Sequence, residues 1–393
     1  MSNGLTDRET RALRAIVVQF FVNGAVVASY VPRLPGIRDR LDVSLGTIGL
    51  VIAVATGLGV VGSVLQAPLV QRYGTRRVLI IGSLVLVSVL PLVAFSPTWW
   101  VLLIVLAALS ISDVIVDVSM NVQASTLSAR RVSPVMNRLH GMWSLGTVVG
   151  GIVASVMAAA AVDLRIHLLG AAAVLAASLL YIRPGLLDKD APLAKEEPEK
   201  ASLEAARATV IAFGALGAAA VIPEAINSDW AAFRLADDLD ASAGVAGIAY
   251  VAFTSGMLAG RFAGDVAVQR LGPATVLKWA TVLAAAGTAI ATLIPAVLAV
   301  FAGLFTAGLG VSVMFPQLYD GAAKNQYPAR ALGGLTAGTR VALLAAPLAV
   351  GLMADTDALS VGAAIAITAI PAAFLVWALS TRLAKRSSED GAR

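Results

Sequence analysis

Long apolar runs alternating with short polar loops dominate the chain. Twelve runs have membrane-spanning length, at about residues 12–31, 45–70, 78–96, 99–126, 134–161, 165–183, 207–230, 243–268, 275–294, 296–320, 331–353 and 358–381. A helix needs about 20 apolar residues to cross roughly 30 Å of hydrocarbon. Backbone amides in lipid must pair within their own segment, so runs of this length predict helices. The predicted fold class is an all-α membrane protein with twelve transmembrane helices.

The loops between the runs test that count. Assigned to alternating sides, loops on the side of the N-terminus hold 22 of the 29 Lys and Arg residues. The opposite side holds five (Arg33, Arg38, Arg40, Arg165 and Arg234), and two (Arg261 and Arg340) fall inside runs. One missed run would erase this asymmetry. Basic loops stay in the cytoplasm, so the pattern predicts a multi-pass protein of the cytoplasmic (inner) membrane with both termini cytoplasmic. One loop stands apart: residues 184–206 include KDAPLAKEEPEKASLEAA, too charged to insert and close to mid-chain. It reads as a cytoplasmic linker between an N-terminal six-helix bundle (1–183) and a C-terminal one with a short cytoplasmic tail (207–393).

An internal repeat supports two halves. A shift of 198 residues aligns 39–74 with 237–272 without a gap, pairing Asp39 with Asp237, Asp42 with Asp240, Gly62 with Gly260 and Gly74 with Gly272. Two parallel repeats imply pseudo-symmetric six-helix bundles with a substrate site at their interface, near the bilayer midplane.

Composition removes other classes. Of 393 residues, 58% are hydrophobic and 13% charged, and the mean hydropathy of +0.84 is far too apolar for a soluble protein. The net charge of +5 lies in scattered loops rather than in a patch, so nucleic acid is not an expected partner. The absence of cysteine excludes disulfides and thiolate metal sites, and His140 and His167 are too few for a histidine metal centre. No small-residue cleavage site follows the first run, which is read as a span rather than a signal peptide. With no Gly-rich phosphate loop and no nucleophilic triad, neither ATP-driven transport nor an enzyme is expected, and no cofactor.

The polar residues inside the runs are the candidate chemistry. Asp113, Asp117 and Asn121 recur every four residues in the fourth span and share one helix face. A carboxylate at the bilayer centre costs about 2.5–3.5 kcal/mol on insertion scales. Two on one face fit either a buried structural ion pair or a proton-coupling site in a transport cavity. Glu224 follows Pro223 in the seventh span, with Asn227 one turn on and Trp230 nearer the external end. Arg340, in the middle of the eleventh span, needs an acid or an anionic substrate, because guanidinium stays charged. Asp113, Asp117, Glu224 and Arg340 therefore form the expected proton-coupling set. Under the 198-residue shift Asp113, Asp117 and Glu224 face Val311, Phe315 and Val26, so the scaffold itself does not demand acids there. Gln19 and Asn23 make a weaker stripe on the first span; with Asn121, Trp143, Asn227, Trp230, Phe315 and Tyr319 they complete the expected substrate-binding set. Ordinary packing is the competing reading for each aromatic.

Gln71-Arg72-Tyr73-Gly74-Thr75-Arg76-Arg77, its partner turn around Gln269-Arg270-Leu271-Gly272, and the two six-span halves resemble the major facilitator superfamily over essentially the whole chain. DVSMNVQ in span four, RLHGMWSLG entering span five, EAINSDWAAF closing span seven and GRFAGD ending span eight resemble its fucose permease-like branch. The resemblance implies the major facilitator fold and secondary active transport by alternating access. It also implies a small-molecule substrate, protons as the coupling ion and the lipid bilayer as surroundings; the chain is expected to be a monomer. The preferred reading is proton-coupled uptake of a sugar-like or other small polar solute; the alternatives are proton-driven export of amphipathic compounds and, more remotely, a non-transporting receptor. In the resemblance Arg72 and Arg76 belong to the gating turn, and Arg138, Arg261 and Asp265 join them as candidate gate residues. Gln71 stands where the superfamily has an acid.

Overall fold

The computed structural model describes residues 6–129, 135–187, 203–356 and 358–390. Most of the expected linker, Arg130 and Arg131 lie outside the described residues. In chain order the helices are α1 (Asp7–Tyr30), a 3-10 turn (Val31–Arg33), α2 (Leu34–Leu41), α3 (Leu45–Gly57), α4 (Gly59–Val89), α5 (Leu92–Phe95), α6 (Trp99–Ala129) and α7 (Met136–Ala159). They continue as α8 (Leu164–Gly185), α9 (Leu203–Asp238), α10 (Ala243–Leu271), α11 (Pro273–Leu293), α12 (Val297–Ala323), α13 (Pro328–Ala354) and α14 (Val361–Asp390). No strand occurs among the described residues.

Eleven helical stretches are long and apolar enough to cross a membrane, and one of them, Leu45–Phe95, is 51 residues long. At 1.5 Å per residue a straight helix of that length would span roughly 75 Å, more than twice the hydrocarbon core. Gly74 breaks it, with φ 77° and ψ 153°, a region essentially restricted to glycine. Eleven stretches thus become twelve crossings. The basic turn expected at residues 71–77 shrinks to this single non-helical residue.

The repeat is written in the backbone as well as in the sequence. Gly272, the shifted partner of Gly74, adopts φ 79° and ψ 154° between α10 and α11. Asp42 and Asp240, also partners, both turn left-handed, with φ 51° and 50°. Gly62 of α4 lies against the Ile111 carbonyl of α6, and Gly260 of α10 against the Leu309 carbonyl of α12. Both members of the second pair are the first pair moved by the same shift, so the two halves reuse one helix crossing.

The chain divides into two compact units: residues 1–194 with 241–251, and residues 195–240 with 252–393. In the first unit α1 packs on α7 through small residues, the arrangement that lets backbones approach in lipid. A Cβ on Gly24 would strike the Trp143 carbonyl, one on Gly146 the Phe21 carbonyl, and one on Gly150 would come within 2.9 Å of the Ala25 oxygen. In the second unit α9 meets α13 the same way, Gly217 against the Leu335 carbonyl and Gly338 against that of Gly214. Gly146 and Gly150 of span five thus permit this close helix approach.

Candidate functional site

In the first unit a polar chain links three spans. Trp143 Nε1 on α7 donates to Asn23 Oδ1 on α1 at 2.9 Å, and Asn23 Nδ2 donates to Asp113 Oδ1 on α6 at 2.8 Å. Indole nitrogen can only donate, so it fixes which end of the Asn23 amide faces it. The amide nitrogen is thereby left to face the acid, which must accept. A carboxyl group can accept at that oxygen whether or not its other oxygen carries a proton. Asn23 is 2% exposed, while Asp113 and Trp143 are half-buried. The close approach at Gly24, one residue on from Asn23, brings α7 within reach of this chain.

One turn along α6, Asn121 Nδ2 donates to the Asp117 carboxylate at 3.1 Å and to its carbonyl at 2.9 Å. Asp117 is thus bonded to a residue of its own helix, and Asp113 to a residue of a neighbouring helix. Gln19, one turn before Asn23, donates to Ser83 Oγ on α4 at 3.0 Å. Its Oε1 is buried without a hydrogen-bond partner among the described residues. Further along α6, Gln123 donates to Thr75 Oγ1 at 3.0 Å and to the Leu187 carbonyl at 3.2 Å, and accepts from the Leu187 amide at 3.1 Å. This clamp straps α6 to the residue after the Gly74 break and to the end of α8. Arg76 adds a bond to the Arg183 carbonyl at 3.1 Å. Arg72 lies 5.3 Å from the Tyr73 ring centroid, and Arg138 is exposed.

In the second unit the charge acting on Glu224 of α9 is that of Arg261 on α10, and Glu224 in turn acts on Asp229. Arg261, grouped with the gate in the sequence reading, is in this way the electrostatic partner of an intramembrane acid, a place first offered to Arg340. Asp265, one turn beyond Arg261, is exposed, and Arg340 is half-buried on α13. Asn227 donates to the Pro223 carbonyl at 2.8 Å and to Thr288 Oγ1 on α11 at 3.0 Å. Its Oδ1 is buried and unpartnered among the described residues. Trp230 is fully buried, its ring 5.1 Å from that of Phe233. Its Nε1 is buried without a hydrogen-bond partner among the described residues. Phe315 and Tyr319 of α12 pair at 5.2 Å, and the Tyr319 hydroxyl lies 3.4 Å from Thr336 Oγ1 of α13.

Several polar contacts had no sequence signal. Ser83, Thr288 and Gln123 each bond to a different helix or loop, and which one depends on packing that periodicity does not give. Asp238, in the last turn of α9, pairs with Arg234 at 2.9 Å. Its carboxylate also accepts from the Val361 and Gly362 amides at 3.1 and 2.7 Å. It caps α14 from more than a hundred residues away. No cluster of three or more metal-ligating side chains occurs among the described residues.

Residues 16–233 match the family model for the Major Facilitator Superfamily. The chain is 28% identical to an uncharacterized MFS-type transporter of Yersinia pestis, over 87% of this chain and 88% of that one. Among solved structures it resembles the nucleoside transporter NupG, with TM-score 0.68 and 14% identity over 96% of this chain and 99% of the other. It is equally similar in fold to a bacterial homolog of the human lysosomal transporter Spinster in an inward-facing and occupied conformation. That match has TM-score 0.68 and 13% identity over 98% and 96% of the two chains.

Proposed function

The chain belongs to the Major Facilitator Superfamily, a family of membrane transporters and not of enzymes, and on that premise we propose that it moves a small polar solute by proton-coupled alternating access. The observation that carries the coupling is the Trp143–Asn23–Asp113 chain. Asp113 is an intramembrane acid whose carboxyl group is bonded to a different span, at 2.8 Å. A change in its protonation alters how strongly it holds Asn23 and therefore how α6 engages α1. Asp117, held by its own helix through Asn121, is the supporting acid. Arg261 with Glu224, and Arg340 on α13, are the corresponding charges in the second unit.

A polar solute is favoured over an amphipathic one by two buried oxygens, Gln19 Oε1 and Asn227 Oδ1. A buried acceptor left unpaired costs about 1–3 kcal/mol, and a hydroxyl-bearing solute offers the missing donor. Phe315 and Tyr319 supply a ring face beside a hydroxyl, suited to a sugar-like ring. Uptake, cytoplasmic termini and membership of the fucose permease-like branch are proposed with this reading, on the 22-of-29 asymmetry and the motifs of spans four, five, seven and eight. Arg72, Arg76, Arg138 and Asp265 are proposed as gate residues.

Flux in proteoliposomes tests the proposal. With an imposed pH gradient, wild-type protein should accumulate its solute, while Asp113→Asn should exchange it across the membrane without accumulation. Asparagine keeps the acceptor oxygen for Asn23 but has no proton to carry. Accumulation by Asp113→Asn equal to wild type would falsify the coupling role. Net extrusion under the same gradient would replace uptake by export.

A further inference from the structure

Loop alternation in the sequence assigns five basic residues to the side opposite the N-terminus, against the general trend of the chain. Two of them meet acids: Arg38 pairs with Asp39 at 2.6 Å and Arg234 with Asp238 at 2.9 Å. The remaining three, Arg33, Arg40 and Arg165, converge on one recess of about 290 Å³ in the first unit, lined also by Gly36, Asp163 and Leu164. That volume is at the lower end of the range for small-ligand clefts, roughly 300–1,000 Å³.

Each guanidinium is held in place by something other than a counter-ion. Arg33 donates one arm to the Val162 carbonyl at 3.1 Å, and its Nη1 is buried without a partner among the described residues. Arg40 donates to the carbonyls of Ala94, Val93 and Ser96 at 2.5, 3.1 and 3.4 Å. Arg165 lies over the Phe95 ring at 5.4 Å. Asp163 is the opposing charge for Arg33 and Arg40, and Arg165 acts on Arg40 as a like charge. Asp163 Oδ1 is already engaged, accepting from the Arg165 amide at 2.7 Å as the N-cap of α8. Three cations against one committed carboxylate leave an excess of two positive charges.

We infer that this recess between the first-span turn and the N-terminus of α8 is a binding site for a phosphate-type oxyanion, separate from the transport path. Arg presents a planar fork that matches phosphate oxygens two at a time, and the positive end of a 22-residue helix adds to the field. A free phosphate has enough oxygens to serve all three guanidiniums, and a phosphodiester offers two charged oxygens with two ester oxygens beside them. The same group reaches this surface either as a free phosphorylated solute or as a phospholipid headgroup.

The test is thermal unfolding of the full chain in a phosphate-free detergent, titrated with inorganic phosphate against sodium chloride at equal ionic strength. Ligand that binds only the folded state raises Tm in a saturable way. The site predicts a saturable rise with phosphate that chloride does not reproduce, and an apparent Kd at least fivefold weaker in Arg165→Gln and in Arg33→Gln. Arg38→Gln, outside the recess, should titrate like wild type. A parallel titration with phosphatidylglycerol identifies the source. A response to lipid alone, lost in Arg165→Gln, assigns the recess to headgroups; a response to inorganic phosphate assigns it to the free anion. Equal shifts with chloride, or Arg165→Gln and Arg33→Gln both responding like wild type to every probe, would overturn the site.

Discussion

An asparagine amide distinguishes its two neighbours by chemistry alone, and Asn23 uses both ends. Its oxygen takes the indole proton of Trp143 and its nitrogen faces Asp113. Trp143→Phe keeps an aromatic ring and removes one bond, leaving the buried Asn23 oxygen without its donor at about 1–3 kcal/mol. Asn23→Ala removes two bonds, those to the half-buried Trp143 indole and Asp113 carboxyl group, together with the packing of the buried amide itself. Asn23→Ala should therefore lower Tm more than Trp143→Phe, and an equal or reversed order would remove Asn23 from the centre of the chain. Sequence periodicity marked Asp113 and Asn23 separately, because each lies on a four-residue stripe. It could not join them, since a contact across 90 residues depends on which helices are neighbours. The same holds for Glu224. Two arginines fall inside spans, and only packing decides that Arg261 acts on the acid.

Helices were the most legible level, because span length and hydropathy answer to one physical demand, the width of the bilayer. The turns between them were less so. The stretch around Tyr73 and Arg77 is charged and reads as a loop, yet α4 runs through it with one residue out of helical geometry. Gly74 and Gly272 both face open space, with nothing within 4 Å of an added Cβ. Any penalty for substitution there is conformational rather than steric. Gly74→Ala and Gly272→Ala should each cost about 1–3 kcal/mol, read as a fall in Tm with expression retained. A neutral result at both would mean that the two turns relax into another conformation at no expense. Gly24 and Gly146 differ in kind, since added atoms there meet backbone of the opposite helix.

For the molecule as a whole, the 198-residue shift was visible in sequence and returns in paired φ angles and in the Gly62 and Gly260 crossings. What the shift did not reveal is that residues 241–251 group with the first unit. Gly244 there lies against Ala159, and Gly247 against Ser155. A chain ending at residue 194 therefore lacks part of its own unit. Such a fragment should be cut within its spans under limited proteolysis, and co-production with residues 195–393 should restore resistance. Equal resistance alone and in company would count against the grouping.

That discontinuity has a consequence in time. The first unit is completed only when residue 251 has been synthesised, 57 residues after its main segment ends at 194. At about 5–20 residues per second, a ribosome leaves the nascent unit unfinished for roughly 3–11 seconds. During that interval the seventh span must be made and handed to the membrane while the groove awaiting residues 241–251 stays uncovered. The order of synthesis, and not only the final packing, thus sets when this transporter's first half becomes safe from proteases and wrong partners.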